Sequence, residues 1–163
     1  MAADGADGFS LSGLRHCGLQ ELEALYAAEG PIALPRGCFR GVHLAWLKTA
    51  GAPGRVIRPL QWLGFQLMPF GVDFTAGHWF FFHPGLGIGR FVAQVGRSRW
   101  RDTETIRLHY HVSRLPRPLR AWLYDEVKPL SPSLCLGIGG IDAPRGQGDH
   151  FFFALANAAA DVR

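Results

Sequence analysis

The sequence predicts a mainly β fold, a single antiparallel β-barrel with a short N-terminal helix, and three observations lead there. Over residues 90–155 apolar and polar residues alternate in short runs, the two-residue period of a strand with one face buried. Gly (21) and Pro (11) break these runs often enough to imply many turns, which suits an all-β chain better than a helical bundle. The 163 residues are enough for one domain with a sizeable core and too few for two ordinary ones.

The elements follow in order. Residues 1–10 form an acidic, Gly/Ala-rich N-terminus expected to be disordered, and residues 11–163 a single barrel domain. Over 18–29, Leu19, Leu22, Leu25 and Tyr26 recur at helical spacing. Glu21 and Glu23 in that first turn favour the helix dipole, and Gly30-Pro31 stops the helix. Residues 37–47 alternate Cys38, Arg40 and Val42 against Phe39, Gly41 and His43 and read as the first strand. Residues 50–54 form a turn-rich connector. In 56–70, Ile57, Leu60, Trp62, Leu63 and Leu67 fit a helix as well as buried extended chain, and a helical lid or plug is the expectation. Strands are then expected over 78–83, 87–95, 103–113, 122–130, 134–141 and 149–156. Pro84-Gly85 turns the first of these, Pro116 and Pro118 mark a connection, and Ser131-Pro132-Ser133 joins a hairpin.

Composition narrows the function classes. A hydrophobic fraction of 48% with 18% charged residues fits a water-soluble globular protein. No run reaches the ~20 apolar residues of a membrane-spanning helix, and the N-terminus lacks the basic start of a secretory signal. Cys17, Cys38 and Cys135 are scattered and odd in number, which points to reduced thiols in a cytoplasmic protein. Arginines crowd residues 90–120, but the strand period sends them to different faces and no nucleic-acid motif accompanies them, so no nucleic-acid partner is expected.

Several segments together resemble a known family. These are Gly96-Arg97-Ser98, Ile106-Arg107-Leu108-His109-Tyr110, Tyr124-Asp125-Glu126-Val127-Lys128 and Pro132-Ser133-Leu134-Cys135-Leu136-Gly137. In that order they resemble the G-x-S-W-L-D-G, I-V-L-D-Y, R-D-E-I-R-E-V and P-G-L-Y-L-G elements of an uncharacterised lipocalin-like β-barrel family of bacteria and fungi. The opening strand at 34–41 and the closing aromatic strand at 151–155 extend the likeness over nearly the whole chain. The resemblance implies a lipocalin-like or calycin-like barrel enclosing a pocket. The chain departs from the pattern at His109, where the family has Asp, and at Tyr124, where it has Arg. If those positions face each other, the family's ion pair becomes a neutral His/Tyr pair.

Candidate chemistry lies on the same strands. Arg107, His109 and His111 share one face of an extended strand, with Ile106, Leu108, Tyr110 and Val112 opposite. With the polar face inward, His109 and His111 become a base and a donor; with the apolar face inward, they see water. A third metal ligand at suitable spacing is missing, so no metal site is expected. Asp125 and Glu126 are adjacent and face opposite ways. Glu126 goes with Tyr124 and Lys128, while Asp125 sits between Leu123 and Val127, where a carboxylate is either paired with an arginine or raised in pKa within a pocket. Gly85-Leu86-Gly87-Ile88-Gly89 lacks nucleotide-fingerprint spacing and reads as a strand bend. No motif marks a haem site at His78 or His83, and no cofactor is expected. The 79–82 and 151–153 aromatic runs place rings on both faces, the outer ones available to a helix or to a second subunit in a homodimer.

Three function classes follow. The first is a barrel that binds a small hydrophobic molecule, such as a fatty acid, polyketide or terpenoid, with Arg107, His111, Tyr110, Asp125, Trp79 and Phe81 as the binding residues. The second is a cofactor-free isomerase, cyclase or hydratase on the same barrel, with His109, Tyr124 and Glu126 as its catalytic groups. The third is a structural or interaction protein with a filled barrel. A titratable cavity favours the second class, and the absence of a cavity the third.

Overall fold

The computed structural model of the protein describes residues 9–47, 58, 59, 62, 63, 67 and 69–157. Two short helices, α1 (Leu11–His16) and α2 (Leu19–Ala27), precede nine strands. The strands are β1 (Cys38–Trp46), β2 (Phe70–Asp73), β3 (His78–Phe81), β4 (Gly87–Arg90), β5 (Val92–Arg97), β6 (Glu104–His109), β7 (Leu123–Ser131), β8 (Leu134–Ile141) and β9 (Asp149–Asn157). A 3-10 turn (Tyr110–Val112) and a third helix, α3 (Arg117–Trp122), stand between β6 and β7. The strands form one antiparallel sheet in the order β4-β3-β2-β1-β9-β8-β7-β6-β5. The sheet curls into a nearly closed barrel. Its two outermost strands, β4 and β5, are successive in the chain and separated only by Phe91.

The two-residue period sorts side chains into an inner and an outer core. The inner core holds Phe39, Phe70, Val72, Ile106, Leu108, Val127, Phe151, Phe153 and Leu155, with Tyr110 and Phe91. The outer core joins α1 and α2 to the back of the sheet through Leu14, Leu22, Tyr26, Leu136, Ile138, Phe152 and Ala154. Strands β8 and β9 are therefore buried on both faces, which explains why their sequences are nearly continuous apolar runs. In α2, burial of Leu22 and Tyr26 supplies about 2 kcal/mol each, far more than a helix this short gains from propensity. Glu21 caps it by accepting from the Gly18 amide at 2.6 Å.

Glycine makes the inner packing feasible in β8. A Cβ on Gly137 would lie 2.2 Å from the Phe153 ring, and one on Gly139 would lie 2.5 Å from that of Phe151. The inner face of β8 thus recedes where the rings of β9 advance. At the seam, Gly89 has φ +74°, a conformation that bends the chain between β4 and β5 as the Gly-rich run suggested.

Several elements differ from the sequence reading. The run 87–95 is two strands, because the bend at Gly89 and Phe91 splits it. The strand expected over 103–113 ends at His109: Tyr110 turns its ring into the inner core, and the 3-10 turn carries His111 to the exposed side of the chain. Pro116 and Pro118 start a helix rather than forming a plain connection, since proline in a first helical turn forfeits no hydrogen bond. Helix α1 is an additional element, capped by Ser10, whose hydroxyl accepts from the Gly13 amide at 3.0 Å. Strand β2 begins at Phe70, the last residue assigned to the lid. Of that stretch, residues 58, 59, 62, 63 and 67 are helical; residues 56, 57, 60, 61, 64–66 and 68, the 50–54 connector and residues 1–8, expected to be disordered, lie outside the described residues.

Candidate functional site

The sheet's inner face opens a cavity of about 360 Å³ between the rings of Phe70, Trp79, Phe81, Phe151 and Phe153. Leu115, Leu119, Leu123 and Ile88 also line it. Ile88 and Leu119 line the cavity and are also 49% and 45% exposed, so its mouth lies between β4 and α3. Trp79 stands at the centre of the ring packing, 5.7 Å from Phe70 and 5.7 Å edge-on from Phe153.

Two polar side chains that line this cavity, Tyr110 and Asp125, are joined in a relay with Trp79. The Trp79 indole N–H donates to the Tyr110 hydroxyl, which donates to Oδ2 of Asp125. Asp125 lies between Leu108 of β6 and Gly139 of β7's other neighbour β8, and the Gly140 amide also donates to it. Loss of water pushes the Asp125 pKa up to about 6, against the opposing pull of the Tyr110 and Gly140 donors. Burial and the neighbouring carboxylate hold the Tyr110 phenol well above its ordinary value. Elsewhere on the inner face, His43 packs 5.7 Å from Phe151 and 4.6 Å from Trp46, and burial lowers its pKa to about 4.

The residues singled out in the sequence are divided by the barrel wall. Trp79, Phe81, Tyr110 and Asp125 meet at the cavity. Arg107, His109 and Tyr124 are on the outer face, where they border a shallow recess of about 380 Å³ with Arg97, Arg99 and Asp142. The apolar face of β6 is the inward one. His109 and Tyr124 are paired across β6 and β7 with ring centroids 5.8 Å apart, so the two positions that depart from the family pattern do face each other. Burial, followed by the charge of Arg107, lowers the His109 pKa. His111, in the 3-10 turn, lies 6.5 Å from His109 and does not line the cavity.

Glu126 is fully buried behind the wall, between β7 and α2. It accepts from the Tyr124 hydroxyl (2.9 Å), the Tyr26 hydroxyl (3.1 Å), the Arg99 amide (2.6 Å) and the Ser98 hydroxyl. A carboxylate saturated in this way ties elements together. Arg101 does the same nearby, reaching Glu23 at 2.5 Å and Asp149 at 2.8 Å with its side chain only 4% exposed.

Phe151 and Phe153, from the aromatic run noted in the sequence, join the cavity with Phe70 and Leu123, which the sequence did not single out as binding residues. The i, i+2 spacing of Phe151 and Phe153 carried the signal, because one face of that strand had to hold both rings. Among the described residues, no group of three His, Cys, Asp or Glu side chains could hold a metal ion, and no helix is long and apolar enough to cross a membrane.

No family model matches the chain, and no curated protein matches it by sequence. A protein from Thermomonospora curvata, known from its crystal structure, is similar over 90% of this chain and 92% of that one, with 16% identity and a TM-score of 0.49.

Proposed function

We propose that the protein binds a small, largely apolar molecule in the barrel cavity, with Asp125 and Tyr110 orienting it. The observation that carries this reading is an aromatic-walled space of about 360 Å³ with a two-residue polar group at one point of its lining. Burial of the ligand against rings supplies affinity, and the isolated polar group supplies orientation. The resemblance to lipocalin-like barrels supports the same reading. The free thiols of Cys17, Cys38 and Cys135 support a reducing, cytoplasmic setting.

A second reading, a cofactor-free isomerase, cyclase or hydratase, is favoured by Asp125 itself. A carboxyl group whose pKa is about 6 is suited to take a proton from a bound substrate and return it at another atom. On this reading the acid/base role passes from His109, Tyr124 and Glu126 to Asp125 and Tyr110, which reach the cavity.

The test is native mass spectrometry of the purified protein, followed by solvent extraction and Trp fluorescence titration with uncharged apolar compounds. A co-purifying small molecule, or saturable binding abolished by cavity-filling Leu123→Trp, is the expected result. If no compound binds up to its solubility limit and none co-purifies, the reading fails.

A further inference from the structure

We propose that the cavity's ligand is a small apolar organic cation, a substituted ammonium compound, held against the Asp125 carboxylate within a box of aromatic rings. This rests on the cavity-binding reading above and names the chemistry of its ligand.

Charge complementarity is the first argument. Asp125 receives neutral donors, the Tyr110 hydroxyl and the Gly140 amide. Among the described residues, the ion pairs are Arg97 with Asp102, Arg99 with Asp142, and Arg101 with Glu23 and Asp149, and none involves Asp125. No Lys, Arg or His lines the cavity. A carboxylate partly withdrawn from water, with no counter-ion beside it, favours a ligand that brings one. An anionic ligand such as a fatty acid carboxylate would instead meet a like charge in a poorly screened space.

The walls are the second argument. Phe70, Trp79, Phe81, Phe151 and Phe153 line the same cavity as Asp125, and aromatic rings attract a cation through their negative faces while their bodies bury its alkyl or aryl groups. A neutral molecule gains only the second of these. The combination of several rings and one carboxylate is therefore selective for apolar cations over their uncharged counterparts.

The surroundings make Asp125 the group that titrates the site. On its own strand Glu126 and Tyr124 face the other side of the wall; β6 presents Ile106 and Leu108, and β8 the Cys135 thiol, pushed up to about 12 by burial. From β9 come Phe151 and Phe153, from β1 the low-pKa His43, from β3 Trp79 and Phe81, and from the 3-10 turn Tyr110. On α3, Arg117 is exposed and Arg120 donates to the Ser113 carbonyl. Cation binding should accordingly weaken as pH falls through about 6, where Asp125 takes up its proton.

The experiment compares phenyltrimethylammonium, whose charge is independent of pH, with its uncharged isostere tert-butylbenzene, each titrated into the full chain while the indole N–H resonance of Trp79 is followed by NMR. At pH 7 the cation should bind at least about tenfold tighter, and Asp125→Asn should abolish that preference while tert-butylbenzene still binds. If the variant does not fold, the wild-type profile decides. Cation affinity should drop about tenfold between pH 7 and pH 5, with the isostere unchanged. Equal affinity for both probes, or a cation affinity flat with pH, overturns the proposal and leaves the cavity reading standing. Failure of both probes to move the Trp79 resonance overturns both readings.

Discussion

At the scale of single residues, Asp125 and Glu126 show how one peptide bond separates two roles. Glu126 meets four donors and Asp125 two, and only Asp125 lines the cavity. For Asp125, the folded-state pKa of about 6 exceeds the ordinary carboxylate value near 4, so folded protein keeps a proton that unfolded chain has released. Its contribution to stability is full below about pH 4 and is lost as pH rises through about 6. Asp125→Asn should therefore raise the melting temperature at pH 8, by an amount equivalent to roughly 2 kcal/mol, and leave it unchanged near pH 4. Glu126→Ala should act oppositely: three hydroxyls and one amide lose their acceptor, and denaturant unfolding should show a loss of about 3 kcal/mol or more. That these neighbours face opposite ways was legible in the sequence, as was a raised pKa as one of two outcomes for Asp125. The direction of β6 was not, because its alternation fits a barrel lined by either face. Only the mutual burial of Ile106, Leu108 and Tyr110 with rings distant in sequence decides it.

At the scale of elements, what the sequence revealed depended on how local the determinant was. The β7–β8 hairpin was readable because its alternation and Ser131-Pro132-Ser133 all lie within residues 122–141, and the structure pairs Ser131 with Leu134. Strand β2 escaped because its first residue ends a stretch with helical spacing, and its strand character comes from pairing with β1 and β3. Helix α3 escaped because Pro116 and Pro118 signal a break and a helix start equally well. The glycines of β8 have a sharper consequence. Gly137→Ala would drive a methyl group into the Phe153 ring, and a cost of about 1–3 kcal/mol in chemical denaturation is expected. Because Phe153 lines the cavity, the displaced ring should weaken ligand binding in the same variant, whereas Gly30→Ala, at a position with open space, should change neither.

At the scale of the whole molecule, α2 and the barrel are fastened by charges as well as by apolar contact. Arg101 bridges Glu23 of α2 and Asp149 at the start of β9, and the Asp149 side chain is 1% exposed. Arg101→Ala would strand that carboxylate in the interior, so a loss of about 3–5 kcal/mol is expected in thermal or denaturant unfolding. His43 sets a second global property. Its pKa falls to about 4, below the ordinary 6.5, so its contribution is present at neutral pH and lost on acidification through that window. His43 and Asp125 thus bias the acid response in opposite directions. In Asp125→Asn the histidine acts unopposed, and stability should decline more steeply between pH 6.5 and pH 4 than in the wild type.

The seam at Phe91 has a kinetic counterpart. Strands β4 and β5 are short, lie at the two ends of the sheet order and are mostly exposed, whereas β8 and β9 are enclosed on both faces. Amide hydrogens should therefore exchange with solvent deuterium soonest in β4 and the adjoining part of β5, and last in β8 and β9, whose exchange requires global unfolding. The cavity mouth borders the fast-exchanging side. The barrel would then breathe at the cavity mouth, and the proposed ligand, once bound, would slow exchange in β4 far more than in the strands already locked by the outer helices.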